Sequence, residues 1–253
     1  MRPDIVDLDQ FYTTRLGQVL RRLIHLRLKE IWPDVSGQRV LGMGYAIPYL
    51  TEFRDKADRV LVAMPASQGA IYWPKGEPGL VTLSEETEIP LPDSSMDRVL
   101  LVHSLENADQ VQPMLREVWR IIRSGGRLLV VVPNRRGLWA RVERTPFGYG
   151  QPFSPPQLNR LLQETMFLPT TITAAVSIPP VTWRPLLRLA PAIERLGRRW
   201  GRAVAGVLII EARKQIYAVS ADHAQQVRPR RITVPAANNA APRQLGYMIK
   251  GKV

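Results

Sequence analysis

Two runs, DRVLLVHS (97–104) and GGRLLVVV (125–132), are so continuously apolar that neither leaves a face for water. The stretch between them, ADQVQPMLREVWRIIRS (108–124), changes period: Leu115, Val118, Trp119 and Ile122 share one helical face. Strand, helix and strand in that order, with strands buried on both sides, restrict the chain to a parallel sheet clad by helices on both faces.

The flanking sequence repeats the pattern. RVLGMG (39–44), RVLVAM (59–64) and GLVTLS (core 80–84) read as strands. SPPQLNRLLQETM (154–166) reads as a helix with Ser154 as N-cap and Pro155 at the first helical position. A strand is expected within 168–178, and AVAGVLIIEARK (203–214) is the last one. Ahead of the sheet, Phe11, Leu16, Leu20, Leu23, Ile24, Leu28 and Ile31 give one amphipathic helix over 8–32, ended by Pro33. In 183–202, Leu186, Leu189, Ile193, Leu196 and Trp200 recur at helical spacing, and Pro191 is expected to split the stretch into two pieces. The expected organisation is a helical arm at 1–34, an α/β domain at 35–217 and a basic tail at 218–253. That tail holds Pro229, Pro235 and Pro242 and too few apolar residues to order itself, so it reads as disordered.

There are no cysteines among the 253 residues, which excludes disulfides, thiolate metal sites and cysteine nucleophiles. No His/Asp/Glu grouping has metal-ligand spacing, so no metal is expected. A formal net charge of +13 favours an anionic partner. Zinc-finger and RNA-recognition signatures are missing, as is aromatic interleaving of the basic residues, which argues against nucleic acid. Arg184, Arg188, Arg195, Arg198 and Trp200 combine charge with an apolar stripe and are the candidate partner-binding residues. Such a stripe suits a protein partner first and an anionic membrane surface second. The acidic N-terminus is unlike a secretory signal and no apolar run reaches the ~20 residues of a membrane span, so a soluble, cytoplasmic protein is expected.

The stretch IPLPDSSMDRVLLVHSLENADQVQPMLREVWRIIRSGGRLLVVVPN (89–134) resembles the middle of class I S-adenosylmethionine-dependent methyltransferases, in the group related to the ubiquinone- and menaquinone-biosynthesis enzymes. The resemblance implies a Rossmann-like, mostly parallel seven-stranded sheet with an antiparallel last strand, supplied here by GVLIIEARK. It also implies S-adenosylmethionine as cofactor, held by an acidic residue and three glycines after the first strand. Here Gly42 stands at the acidic position, Gly44 keeps the first glycine, and Ala46 and Pro48 replace the others. The acid expected at the end of strand two is Pro65, preceded by Met64. Glu85 is left as the candidate beside the adenine, with Glu86 and Glu88 as alternatives. Tyr45 and Tyr49 supply aromatic faces that attract a sulfonium. His103, at the end of strand four, is the candidate general base, with Glu106 and Asn107 beside it.

Two functions follow. One is a pseudo-methyltransferase whose degenerate cofactor site has yielded to a role in binding a protein partner. The other is an active methyltransferase on a small-molecule or lipid-like acceptor. The missing carboxylates favour the first.

Overall fold

The computed structural model describes residues 3–200 and 205–216, without the side chains of 198–200. Seven strands form one sheet: β1 (Arg39–Gly44), β2 (Arg59–Pro65), β3 (Val81–Ser84), β4 (Met96–Val102), β5 (Ile122–Pro133), β6 (Phe167–Ala175) and β7 (Val207–Lys214). Their order is β3-β2-β1-β4-β5-β7-β6, with β7 antiparallel to both neighbours and the β3–β5 side parallel throughout. This is the Rossmann-like class I methyltransferase arrangement expected from the sequence.

Alternate residues of each strand enter two separate cores. Val40, Val62, Val102 and Val131 face helices α2 (Arg15–Ile31), α3 (Ile47–Arg54) and α6 (Arg184–Trp200). Leu41, Leu101, Val130 and Ile210 face α4 (Val111–Ile121) and α5 (Pro155–Glu164). The unbroken apolar character of the strands follows from helices on both sides. At the start of α5, Ser154 and Gln157 form the capping box that its sequence suggests.

Three expectations need correction. The N-terminal segment is two helices, α1 (Ile5–Thr13) and α2, broken at Thr14. The Thr14 hydroxyl donates to the Phe11 carbonyl (2.6 Å) and accepts from the Gly17 amide (3.1 Å), ending one helix and capping the next. The break resets the helical phase, so Tyr12 is buried while Phe11 is only partly covered. Pro191 does not split α6. Its missing N–H removes one internal bond, and Leu187, Ala190 and Glu194 still bury the inner face. Finally, the helix expected over 108–124 is shorter, α4 ending at Ile121, because Ile122 already pairs with Met96 and begins β5. The segment from 218, read as a basic tail, lies outside the described residues.

Candidate functional site

In this fold chemistry gathers at the C-terminal ends of β1, β2 and β4, beside the crossover in strand order. Here those three ends meet under α1. Gly44 closes β1 at φ 70°, and a Cβ there would stand 2.4 Å from the Val102 carbonyl oxygen and 2.9 Å from the Ser104 Cβ. Glycine is therefore required by the approach of β1 to β4 itself. At Gly42 a Cβ would lie 2.4 Å from Leu50 Cδ1 and 2.7 Å from the Ala46 Cβ. The space that an acidic side chain would occupy is filled by α3.

His103 follows β4 directly and takes a left-handed backbone, φ 52°. It is fully buried. Its Nε2 lies 2.9 Å from the Tyr12 hydroxyl and its Nδ1 3.2 Å from Glu106 Oε1. The ring packs 4.4 Å from that of Phe147. The strained turn is held through the His103 carbonyl, which accepts from the side-chain amides of Gln68 and Asn107, each at 3.2 Å. Both imidazole nitrogens thus meet protein groups, and no solvent reaches them.

Tyr12 is the centre of the cluster. Its hydroxyl is 3.0 Å from that of Tyr49, and its ring lies 5.4 Å from Tyr45, which donates to Asp9 of α1 at 2.7 Å. Burial pushes the Tyr12 phenol well above its ordinary value, reinforced by Tyr49. Burial raises Tyr45 too, helped by Asp9, and burial raises Tyr49. All three stay neutral hydrogen-bonding groups. The end of β2 is covered as well: Pro65 is buried, its carbonyl accepts from the amides of Gln68 and Gly69, and the Ile5 amide of α1 donates to the Gln68 carbonyl at 3.1 Å. Three buried acceptors in the cluster, Gln68 Oε1, Glu106 Oε2 and Asn107 Oδ1, have no hydrogen-bond partner among the described residues.

The structure thus brings Gly42, Gly44, Tyr45, Tyr49 and His103 together with Glu106 and Asn107, and leaves Glu85 apart. Glu85 is exposed beyond β3 and lines a separate groove with Glu117 and Arg120 of α4. Tyr12 and Gln68 escaped the sequence reading. Tyr12 sits one position from the apolar stripe of an unbroken helix, and a lone glutamine carries no pattern. Arg184, Arg188 and Arg195 are exposed on α6, whereas the side chains of Arg198 and Trp200 lie outside the described residues. Among the described residues no group of three or more His, Asp or Glu is placed to hold a metal ion, and no helix is long and apolar enough to cross a membrane.

Residues 41–130 match the family described as a methyltransferase domain. Demethylmenaquinone methyltransferases of Listeria welshimeri and Listeria monocytogenes are 35% identical over 68 residues, a match spanning 26% of this chain and 28% of theirs. Among solved structures, an S-adenosylmethionine-dependent methyltransferase from Thermotoga maritima superposes with a TM-score of 0.59 at 14% identity, covering 83% of this chain and 96% of its own. One from Archaeoglobus fulgidus gives 0.55 at 20% identity, covering 77% and 94%. A chain from the complex of the Haloferax volcanii Trm112 methyltransferase activator with a methyltransferase gives 0.55 at 14% identity, covering 85% and 100%. These structures share the fold of this chain, and its segment 41–130 is similar to the methyltransferase-domain family.

Proposed function

We propose that this protein is a pseudo-methyltransferase: the family scaffold with its cofactor cleft closed by its own N-terminal helix, working through a macromolecular partner on its surface. The observation that carries this reading is Tyr12, whose hydroxyl bridges Tyr49 and His103 between the ends of β1 and β4. The methionine part of the cofactor would have to lie there. The residues present do not fit S-adenosylmethionine. Leu50 and Ala46 fill the place of the ammonium-binding carboxylate. Pro65 offers no side-chain acceptor for ribose hydroxyls. Glu85 stands in another groove. Each lost hydrogen bond to a buried polar ligand group costs on the order of 1–3 kcal/mol in affinity. Calorimetry on the full chain tests the reading: neither S-adenosylmethionine nor S-adenosylhomocysteine is expected to give a binding isotherm, and micromolar affinity for either overturns it.

The second reading, an active methyltransferase on a small-molecule or lipid-like acceptor, draws on the three unpaired acceptors around His103. Buried polar atoms without partners are costly. A substrate entering beneath a displaced α1 would satisfy them, and α1 would then be a lid.

A further inference from the structure

Helix α6 has two apolar faces, and only one is used by the fold. On the inner face Leu187 and Ala190 are buried, and Glu194 accepts from the backbone amides of Val176 (3.2 Å) and Ser177 (2.7 Å). Those bonds fix the rotation of the helix. Leu189 and Leu196 are therefore held outward, 57% and 61% exposed, separated by about 10.5 Å along the axis. Trp183, just ahead of the helix, is 66% exposed. Arg188 and Arg195 adjoin the two leucines. A basic surface from a solvated helix back would present arginines without this second stripe.

Beside it runs a groove of about 500 Å³ between α2 and α6. Arg15 and Arg22 of α2 face Arg184 and Arg188 of α6 across an apolar floor that includes Val19 and Leu187. None of the four guanidiniums makes a hydrogen bond or ion pair among the described residues, so all four are free to meet an anion. Leu26, one turn beyond Arg22, is 48% exposed.

We propose that the α2–α6 face docks onto an anionic phospholipid bilayer, with lipid phosphates in the arginine groove and Trp183, Leu189 and Leu196 at the headgroup–acyl boundary. Guanidinium forks match phosphate oxygens. A helix lying in the interface carries basic residues beside an apolar row. Tryptophan favours the headgroup level. A protein interface concentrates its apolar anchors in a central packed cluster. Here they are strung singly along a helix axis, which suits a plane better than a pocket. The surface exists whatever the state of the cleft, so the inference goes beyond the proposed loss of cofactor binding and can fail without it.

The test is flotation of the full chain with vesicles of phosphatidylcholine alone, or with roughly one third phosphatidylglycerol, at about 0.1 M salt. Binding is expected only to the anionic vesicles. Leu189→Asn with Leu196→Asn leaves the charge unchanged and is expected to weaken it about fivefold. Arg184→Gln with Arg188→Gln is expected to weaken it about tenfold. The charge-matched pair Arg116→Gln with Arg160→Gln, on the other layer of the sheet, should stay within about twofold. All six side chains are exposed, and unchanged thermal unfolding verifies that each variant is folded. Absence of binding to anionic vesicles overturns the proposal. So does an equal loss in groove and control pairs, which means unspecific charge attraction, or indifference to the leucine pair. Complete displacement by millimolar inorganic phosphate, or tighter binding to polyglutamate than to vesicles, assigns the groove to a soluble anion or an acidic protein and also overturns it.

Discussion

At Gly42 the absence of a Cβ lets Leu50 and Ala46 pack directly against β1. Placing there the acid that the resemblance implies, Gly42→Asp, would drive a carboxylate into Leu50 and Ala46. Overpacking and burial of a charge together are expected to cost about 3 kcal/mol in urea unfolding, with part recovered when Leu50→Ala is added. Tyr12 has its own consequence. Tyr12→Phe removes the bonds to Tyr49 and His103 and leaves buried partners unsatisfied, a loss of about 1–2 kcal/mol at neutral pH. The pH dependence is also set. Because the phenols of Tyr12, Tyr45 and Tyr49 are all raised, the folded state keeps protons that the unfolded chain releases above about pH 10. Stability is full below that value and falls as pH rises beyond it. Urea midpoints measured from pH 8 upward should show the fall, and Tyr12→Phe with Tyr49→Phe should flatten it. Of these residues Gly42, Tyr45, Tyr49 and His103 were legible in the sequence, because each sits at a strand end or helix start whose position the apolar runs define. Tyr12 was not, because its role depends on a two-residue hydroxyl bridge across separate elements.

Among the elements, α6 shows how one carboxylate orients a helix. Glu194 is buried, caps two backbone amides after β6 and lies 3.6 Å from Arg27 of α2, itself nearly enclosed. Glu194→Ala leaves two donors and a guanidinium short of an acceptor, and about 3 kcal/mol of stability should be lost. Glu194→Gln keeps one acceptor and should lose less. Thermal unfolding of the two variants separates these outcomes. The sequence placed every strand and the helices α4 and α5 within a few residues, since both periodicity and Gly or Pro punctuation mark them. It misjudged the N-terminal break and the continuity of α6 for one reason. Thr14 interrupts a helix without a proline, and Pro191 fails to interrupt one, so tertiary packing outweighs the local signal at both places. The same limit hid the second apolar face of α6: Leu186, Leu189, Ile193 and Leu196 looked like one stripe, yet Leu189 and Leu196 point away from the sheet.

For the whole molecule, the proposed loss of S-adenosylmethionine binding would have two separate causes. One is steric, because α1 covers the ends of β1, β2 and β4. The other is chemical, because Gly42 and Pro65 stand where the resemblance implies carboxylates. They predict different behaviour once the cover is loosened. Tyr12→Ser in the full chain removes the ring that lies between Tyr45, Tyr49 and His103 while leaving Leu8 and Ile5 to seat α1. If the chemical loss dominates, S-adenosylhomocysteine at about 1 mM shifts the melting temperature of neither the natural chain nor the variant. The scale for judging this is set by linkage. Ligand at a hundredfold excess over its dissociation constant adds about 2.7 kcal/mol, which is several degrees for a domain of this size. A shift confined to Tyr12→Ser would mean that α1 alone bars a competent site, and the protein would be an enzyme held closed by its first helix. A shift in both would favour the second reading, an active methyltransferase. The outcome expected is no shift in either, because opening the space beside His103 supplies room but neither of the two acids that the cofactor's ammonium and ribose require.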